Sequence, residues 1–383
     1  MKIAFVAQHF GRKEEMSFGP NPLIYNIIKG VAEKEEVLVL AGGFPKKAAV
    51  EKVEGIKVLR VFSSHPAFLG KNPFLNFGIL GLGKILKEKP AVINSQDFDA
   101  AFLFKLLNAF GSKAVKVASV KSILEARLEK TPKGLESTYS ASDRGLLFFQ
   151  KRFERMCVQN SDLLVVQSNH AKKELERIFK PKATTRLIYN GVDSRIFKPL
   201  KLEDKNPALL FAGGTDLYRK GADVFFHSFV NLKKEIPELK AIVIGASSPG
   251  NFEKLLKERG ISKTDLEFFN RVPYTKMPLL LNRASVILVP SFHETFGSIA
   301  AEAMACGKAV VASDSTALPE VVGNAGVLAK TGSVKDFAEK TKRLLENKAL
   351  RKKIGKKARE RVLENFTAEK TVNGYLKLFR SLK

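Results

Sequence analysis

The sequence has few cysteines and no long apolar run, and each absence excludes a class of protein. Cys157 and Cys306 are its only cysteines among 383 residues. Two distant cysteines exclude a disulfide framework and a multi-cysteine metal site, and they are typical of a reducing compartment. No apolar stretch approaches the roughly 18 residues that a transmembrane helix needs. Because the start, MKIAFVAQHF, turns polar too early for a signal peptide, we expect a cytoplasmic protein.

The charge of the chain is strongly unbalanced. Sixty-five Lys and Arg residues against 39 Asp and Glu residues give a net charge of +26, and the surplus is spread over both halves of the sequence. Such a field favours anionic partners, namely nucleic acid, acidic membranes or phosphorylated ligands. A thermophilic type of Lys- and Glu-rich surface would explain the lysine content but not the imbalance. Because no helix-turn-helix, zinc finger or aromatic RNA-binding motif is present, we expect no specific nucleic acid, although a basic nucleic-acid-binding protein remains an alternative.

Short apolar segments alternate with helical patterns along the chain. Ten segments rich in Val and Ile predict strands of parallel sheets that are covered on both faces. They are residues 2–7, 36–41, 56–61, 90–94, 115–119 and 162–167, followed by a second series at 208–212, 240–245, 284–290 and 309–313. This alternation predicts the α/β class.

The two series of strands predict two domains. Between them, the segment from Phe197 to Pro207 has two prolines and dense charge, and we interpret it as a linker. We therefore assign residues 1–197 to a first domain and 198–366 to a second. Each series alternates strands and helices in the manner of a Rossmann-like domain. Such domains bind ligands at the carboxyl ends of their strands, so two facing domains would form one cleft.

One predicted helix is apolar except for a single carboxylate. It begins near Ser298, after the loop SFHETFG, and ends at Gly307; its apolar residues predict a buried helix that contains Glu302. A buried carboxylate costs roughly several kcal/mol unless it is paired, and no basic residue lies nearby in the sequence.

A nucleotide diphosphate would explain this carboxylate. Its ribose hydroxyls could pair with Glu302 while its phosphates bind the helix N-terminus. Glu294, in the preceding loop, would then face the group on the distal phosphate. The alternative is that Glu302 pairs with a distant Lys or Arg and that Glu294 is a surface residue.

Glu294 and Glu302, within PSFHETFGSIAAEAMACGKAVVAS, resemble the signature of the retaining glycosyltransferases of family 4. Three further segments resemble motifs of the same family in the same order. They are YNGVDSRIFKP, LLFAGGTDLYRKGADVFFHSF and LPEVVG. The resemblance is nearly continuous from Asp162 onward and rests mainly on strand order before it.

The resemblance implies the glycosyltransferase B-type architecture, in which two Rossmann-like domains with parallel sheets face each other across a ligand cleft. The second domain would bind the sugar nucleotide, the first would bind the acceptor, and helix 367–383 would pack back on the first. The implied activity is transfer of a hexose, with retention, from a UDP- or GDP-linked sugar to a lipid-linked, polyol or saccharide acceptor. No metal and no cofactor would be needed. A catalytically silent module that binds nucleotide sugars is an alternative.

The resemblance also implies roles for single residues. Glu302 would bind the ribose, Glu294 the donor sugar, and Lys220 the leaving diphosphate. The implied catalytic set is Glu294, Lys220 and Arg219. The other donor-binding residues implied are Thr295, Phe296, Gly297, Ser298, Gly213, Gly214, Arg271, Val272 and Gly19.

The sequence departs from the family pattern at three places. An arginine usually follows the first glycine of the phosphate loop, where this chain has Gly213-Gly214; Arg219 could supply that charge. A histidine often follows the fifth strand of the first domain, where this chain has Lys121. The first Gly-Gly loop of the family appears as FGPNP, which keeps Gly19.

Three residues are candidates for the acceptor side: His9, Asp97 and Lys121. Asp97 belongs to an Asp-Phe-Asp sequence that resembles a metal motif, but we place it at a strand end near the acceptor. The segment 65–87 is rich in Phe and Leu and ends in lysines; it would contact a membrane or a lipid-linked acceptor, and the alternative, favoured for its second half, is a core-packing helix. The basic segment 121–133 is a second candidate membrane face, so we expect peripheral binding to an anionic membrane, at its inner face. We interpret His293 as a loop residue.

Overall fold

The structure is a computed structural model of the chain that describes residues 1–11, 20–42, 50–61, 73–130, 141–202, 206–213, 217–245 and 252–382. Within these residues the chain forms two α/β domains, each built on one sheet. The predicted fold class is therefore confirmed.

The first domain is built on a sheet of eight strands, as far as the described residues show. The strands, in chain order, are β1 (Lys2–Ala7), β2 (Glu36–Ala41), β3 (Val50–Val53), β4 (Ile56–Arg60), β5 (Val92–Gln96), β6 (Val115–Ser119), β7 (Leu163–Val166) and β8 (Thr184–Leu187). Their spatial order is β3-β4-β2-β1-β5-β6-β7-β8. All neighbours are parallel except the edge pair β3 and β4.

The second domain is built on a parallel sheet, which has six strands within the described ranges. They are β9 (Ala208–Ala212), β10 (Lys240–Ile244), β11 (Leu266–Phe269), β12 (Val286–Val289), β13 (Ala309–Ser313) and β14 (Val327–Ala329). The spatial order β11-β10-β9-β12-β13-β14 reverses direction between β9 and β12. In an open α/β sheet, such a reversal is where a ligand crevice forms.

Helices connect the strands. They are α1 (Pro20–Ala32), α2 (Pro73–Glu88), α3 (Ala101–Ala109), α4 (Leu124–Lys130), α5 (Ala141–Gln159), α6 (Asn169–Phe179), α7 (Ala222–Glu235), α8 (Glu253–Glu258), α9 (Met277–Arg283), α10 (Ser298–Ala305), α11 (Leu318–Val322), α12 (Val334–Glu346), α13 (Lys348–Asn365) and α14 (Ala368–Arg380). Short 3₁₀ turns occur at Lys263–Asp265, Tyr274–Lys276 and Gly323–Ala325. None of the helices in the described part of the chain combines the length and apolarity required to cross a bilayer.

Each sheet has an apolar core on both faces. In β1, Ala4 and Val6 belong to one core, whereas Ile3 and Phe5 belong to the other, because successive side chains of a strand point to opposite faces. This two-sided burial is why the central strands are continuous apolar runs in the sequence.

The last helix lies against the first domain. In α14, the Phe379 ring meets Phe5 of β1 with 5.9 Å between centroids, and the Tyr375 hydroxyl donates to Ser119 Oγ at 2.9 Å. Thr367 caps α14, since its side chain accepts the Lys370 amide at 3.3 Å. The chain thus crosses from the second domain back to the first at its C-terminal side.

All ten predicted strands are present, although the segment predicted at 90–94 forms a strand at Val92–Gln96. The sequence did not indicate β3, β8, β11 and β14. Among the described strands these four are the sheet edges. An edge strand is not enclosed on both sides and therefore lacks the continuous apolar run on which the prediction relied.

Candidate active site

The loop after β12 and the helix α10 form the centre of the candidate site. Gly297 precedes the helix with φ of 98°, and a Cβ there would lie 2.7 Å from Leu318 Cδ2, so only glycine fits. Ser298 is exposed, whereas the rest of α10 is buried. Gly307 follows with φ of 69°. The predicted start and end of this helix are confirmed.

Glu302 lies inside this buried helix, and no described residue forms an ion pair with it. Its side chain is in the interior, and its Oε2 atom makes no hydrogen bond with any described residue. Burial raises the pKa of Glu302 to about 8. The alternative reading, an internal ion pair with a distant base, is therefore not what the structure contains.

The first turn of α10 has unused donors. The amides of Ala300 and Ala301 donate to the Gly297 carbonyl at 3.0 and 3.2 Å. The amides of Gly297, Ser298 and Ile299 have no acceptor among the described residues. Free amides and the positive end of the helix dipole favour an anion at this position.

Lys220 and Glu294 form an ion pair beside this helix. Lys220 Nζ lies 2.5 Å from Glu294 Oε1, and Ser291 Oγ donates to the same oxygen at 2.9 Å. Gly221 allows the approach of the two segments: it has φ of 79°, and a Cβ there would lie 2.1 Å from the Pro290 carbonyl oxygen. Although burial alone would raise the pKa of Glu294, Lys220 and Arg219 hold it below its ordinary value.

Arg219 holds the backbone of the same loop. Its Nη1 donates to the His293 carbonyl at 2.8 Å, and its own carbonyl accepts the Phe292 amide at 2.9 Å. The loop that carries Glu294 is thus attached to the segment that carries Lys220 by two backbone contacts and one ion pair.

The remaining donor-side candidates lie around α10. Val272 is buried in the core that contains most of α10, and Arg271 beside it is exposed. Phe296 is a core residue whose ring packs against Phe366 at 5.6 Å, so it can offer a ligand only its backbone. A Cβ on Gly213 would lie 2.6 Å from Leu217 Cδ2. Gly214 and Gly19 lie outside the described residues.

The acceptor-side candidates lie at the carboxyl edge of the first sheet. His9 follows β1 and is exposed. Asp97 follows β5, and its Oδ1 accepts the amide of Lys121, after β6, at 3.0 Å. Burial raises the pKa of Asp97 to about 6. Asp99 accepts the amide of Gln8 at 2.8 Å, so its carboxylate links the ends of β1 and β5.

The two domains meet along a seam beside the loop that carries Glu294. Thr295 Oγ1 donates to the Lys121 carbonyl at 2.7 Å, and Ser168 Oγ donates to the Thr295 carbonyl at 2.7 Å. Glu320 of α11 accepts the backbone amide of Asn169 at 2.9 Å and the Tyr189 hydroxyl at 2.8 Å. A carboxylate of the second domain therefore caps α6 of the first.

A second cluster on the seam was not found by sequence reasoning. His293 Nε2 lies 3.1 Å from Glu174 Oε2, and His170 Nε2 lies 3.0 Å from Glu174 Oε1. Burial would raise the pKa of Glu174, but the two histidines lower it to about 2. The i,i+4 spacing of His170 and Glu174 on one helix was the only local signal; their proximity to His293 depends on the tertiary fold.

Two family models match the chain. "Glycosyltransferase Family 4" matches residues 19–195, and "Glycosyl transferases group 1" matches residues 193–361. One model thus corresponds to the first sheet and the other to the second.

Curated relatives are similar over part of their length. An uncharacterized glycosyltransferase of Methanocaldococcus jannaschii is 29% identical over 232 residues, 60% of this chain and 62% of the relative. A D-inositol 3-phosphate glycosyltransferase of Nocardioides is 28% identical over 254 residues, which are 59% of this chain and 55% of the relative. An MMP α-(1→4)-mannosyltransferase of Mycolicibacterium hassiacum is 32% identical over 226 residues, which are 58% of this chain and 54% of the relative. The chain spans between 54% and 62% of the length of these relatives.

Solved structures share the whole fold. Sucrose-phosphate synthase of Thermosynechococcus elongatus superposes with a TM-score of 0.82 at 21% identity, covering 100% of this chain and 98% of that one. Anabaena HepE, solved in complex with UDP-glucose, superposes with a TM-score of 0.68 at 18% identity and covers 100% of both chains. At such identities the likeness shows the fold alone, and that fold is the glycosyltransferase B type.

The uncompensated carboxylate predicts a pH-dependent stability. Because the pKa of Glu302 is about 8 when folded and 4.5 ordinarily, its folded form keeps a proton that the unfolded chain releases. Stability is therefore full below pH 4.5 and falls by about 1.4 kcal/mol per pH unit towards pH 8. We expect Glu302→Gln to unfold at a higher temperature than the wild type at pH 9 and at a similar temperature at pH 4.5, in melting scans.

Glu294→Gln is the matched control, since this acid has a lowered pKa. Its ionised form stabilises the fold above the ordinary pKa, and that contribution is lost as the pH falls. The control should therefore melt below the wild type at pH 9. Parallel melting curves for Glu302→Gln and wild type at all pH values would contradict the assignment.

Proposed function

Because the chain belongs to the glycosyltransferase families whose models match residues 19–195 and 193–361, we propose that it is a retaining glycosyltransferase. It transfers a hexose from a UDP- or GDP-linked sugar to a lipid-linked, polyol or saccharide acceptor. The observation that carries this proposal is the buried carboxyl group of Glu302, which no described residue pairs, next to α10 amides that lack an acceptor in the same part of the chain.

In the proposed complex, the donor lies across the start of α10. The ribose hydroxyls donate hydrogen bonds to Glu302, and these hydrogen bonds satisfy the buried acid. The diphosphate accepts from the amides of Gly297 and Ser298 and is stabilised by the helix dipole. Gly213 lies beside the diphosphate, where a Cβ would come within 2.6 Å of Leu217 Cδ2, and the backbone of Arg271 and Val272 contacts the base.

Lys220 and Glu294 act on the reacting end of the donor. When the bond between sugar and diphosphate breaks, negative charge grows on the leaving phosphate, and a fixed cation there stabilises the transition state. Lys220 supplies it, with Arg219 on the same segment. Glu294, 2.5 Å from Lys220, holds the hydroxyls of the sugar. In this proposal the lysine and the helix dipole provide the positive charge, and the reaction uses no metal or cofactor.

The acceptor approaches from the first domain. His9, Asp97 and Lys121 lie at the carboxyl edge of its sheet, and Lys121 contacts the donor loop through Thr295. Because the pKa of Asp97 is raised to about 6, this carboxyl group is a proton acceptor suited to neutral pH.

Donor binding tests the proposal. We expect Glu302→Ala to weaken the affinity for the donor about 10- to 100-fold, because hydrogen bonds to a buried carboxyl group are lost, and Glu294→Ala to weaken it less. Calorimetric titration with UDP-glucose and GDP-mannose measures both. Slow hydrolysis of a labelled donor, with the anomer of the product followed by NMR, tests retention. Affinity that does not change in Glu302→Ala would rule out this pose, and binding without product across acceptors would indicate a silent module.

Lys220 is expected to affect the chemical step. Lys220→Ala should lower the rate of sugar transfer about 10²- to 10³-fold, the usual cost of removing a group that stabilises a developing anion. Release of nucleoside diphosphate under saturating donor measures the rate. Lys335→Ala is the control, because that side chain is 86% exposed on α12. Equal rates of sugar transfer by Lys220→Ala and Lys335→Ala would contradict this role for Lys220.

We also propose that the first domain binds anionic membranes at the cytoplasmic face. Phe148 and Phe149 of α5 are 65% and 56% exposed, and Ile79 and Leu80 of α2 are 46% and 37% exposed. Helices α2, α3 and α5 cover the same face of the sheet. Exposed apolar side chains on a chain of charge +26 favour an acidic lipid surface. Residues 65–72 and 131–133 of the predicted membrane segments lie outside the described residues.

Vesicle co-sedimentation measures this binding. At low salt we expect the protein to sediment with vesicles rich in phosphatidylglycerol but not with phosphatidylcholine vesicles, because screening by salt weakens the attraction of surface charges. The double variant Phe148→Ser, Phe149→Ser should reduce the bound fraction severalfold. Leu279→Ser, at a 46% exposed position of the second domain, is the control. Equal sedimentation with both lipids would contradict a charge-dependent membrane contact.

A further inference from the structure

We propose that His170, Glu174 and His293 form a binding site for one divalent transition-metal ion, such as Zn²⁺, which joins the two domains. The site is outside the donor cleft contacts assigned above. The inference does not depend on the transfer reaction, which draws on no metal.

The three side chains converge from two domains. His170 and Glu174 are one turn apart on α6 of the first domain and therefore lie on the same helix face. His293 comes from the loop between β12 and α10 of the second domain. One potential ligand atom from each residue lies within 4.8 Å of the others.

The distances match a tetrahedral ion. Zinc binds histidine nitrogen and carboxylate oxygen at about 2.0–2.2 Å, which separates neighbouring ligand atoms by roughly 3.3 Å. Glu174 Oε1 lies 3.0 Å from His170 Nε2, and Oε2 lies 3.1 Å from His293 Nε2. The ligand atoms of all three residues lie within 4.8 Å of one another, so an ion would draw them together to this spacing.

The chemistry of the set also fits. Two imidazoles and one carboxylate are a typical zinc set that leaves a fourth position for water. The side chains of Glu174 and His293 are only 6% and 3% exposed, whereas His170 is 25% exposed and leaves access from solvent. His170 Nε2 is buried, and its close polar neighbour among the described residues is Glu174 Oε1 at 3.0 Å. A metal ion would bind this nitrogen together with the carboxylate.

Because its ligands come from both domains, the ion would stabilise one arrangement of the domains. It can be held by all three residues only when the domains have the present arrangement, in which Ser168 also contacts Thr295 and Glu320 caps α6. A ligand that binds one arrangement stabilises that arrangement. Because His293 directly precedes Glu294, the ion also restrains the loop beside the Lys220 ion pair.

Metal titration of the full chain tests the proposal. After removal of metals with EDTA and desalting, calorimetric titration with ZnCl₂ should give one ion per chain, and Co²⁺ should give the visible absorption of a four-coordinate ion. Saturating Zn²⁺ should raise the melting temperature by about 3 °C. The sequence contains five histidines and two cysteines, and both cysteines are buried, so competing sites are few.

Three variants locate the ion. His170→Ala, Glu174→Gln and His293→Ala should each weaken Zn²⁺ binding about 100-fold and abolish the Co²⁺ absorption, since even outer partners of a metal site contribute 10- to 100-fold. His170→Ala changes a partly exposed helix position and is the variant least able to disturb folding. His227→Ala, at an exposed position of α7, is the matched control and should bind like the wild type.

Two results would overturn the site. The first is that the wild-type protein binds no Zn²⁺ at a concentration of about 100 µM, which would mean a dissociation constant too weak for a specific site. The other is His170→Ala and His293→Ala protein that binds Zn²⁺ as tightly as the His227→Ala control. Neither result affects the donor-binding test with Glu302→Ala.

Discussion

The close approach of Gly221 to Pro290 is the constraint on which the site depends. A Cβ at position 221 would lie 2.1 Å from the Pro290 carbonyl oxygen, so any other residue would push the two segments apart. Because β9 and β12 are neighbours in the sheet, the loops that follow them are adjacent. The missing side chain then lets Lys220 reach Glu294 and lets Arg219 reach the His293 carbonyl. Sheet order and one glycine together position the groups of the proposed reaction.

Two acids eight residues apart have opposite electrostatic roles. Burial raises the pKa of both, but Glu294 is compensated by Lys220 and Arg219, whereas Glu302 has no cation among the described residues. Glu294 therefore stabilises the folded loop, and Glu302 destabilises the free protein. Stability lost at a binding site is expected where a ligand supplies the missing contacts. The position of Glu302, in an otherwise apolar helix, therefore fits the proposed role in donor binding.

The sequence predicted the centre of each sheet and the buried helix that contains Glu302, and both depend on local patterns. Central strands are apolar on both faces, whereas the edge strands β3, β8, β11 and β14 are short or partly exposed and have no such pattern. Glu302 was identifiable because its neighbours in the helix are apolar. The contacts between the domains were not identifiable from the sequence, because Glu174 and His293 are 119 residues apart, and Asn169 and Glu320 are 151 residues apart. Such pairs are determined by how the domains meet, which no local periodicity encodes.

Charge acts on the proposed donor at two distances. Far from the protein, the net charge of +26 attracts an anionic nucleotide sugar. At the site, Lys220 is already paired with Glu294 and Arg219 holds the His293 carbonyl. In the proposed complex, a diphosphate therefore competes with Glu294 for Lys220, and each phosphate contact that the lysine gains would release carboxylate oxygens of Glu294. Those oxygens are then available to the sugar hydroxyls that arrive with the phosphate. The ion pair of the free protein thus keeps both groups in place until the donor separates them and uses each for a different part of its structure.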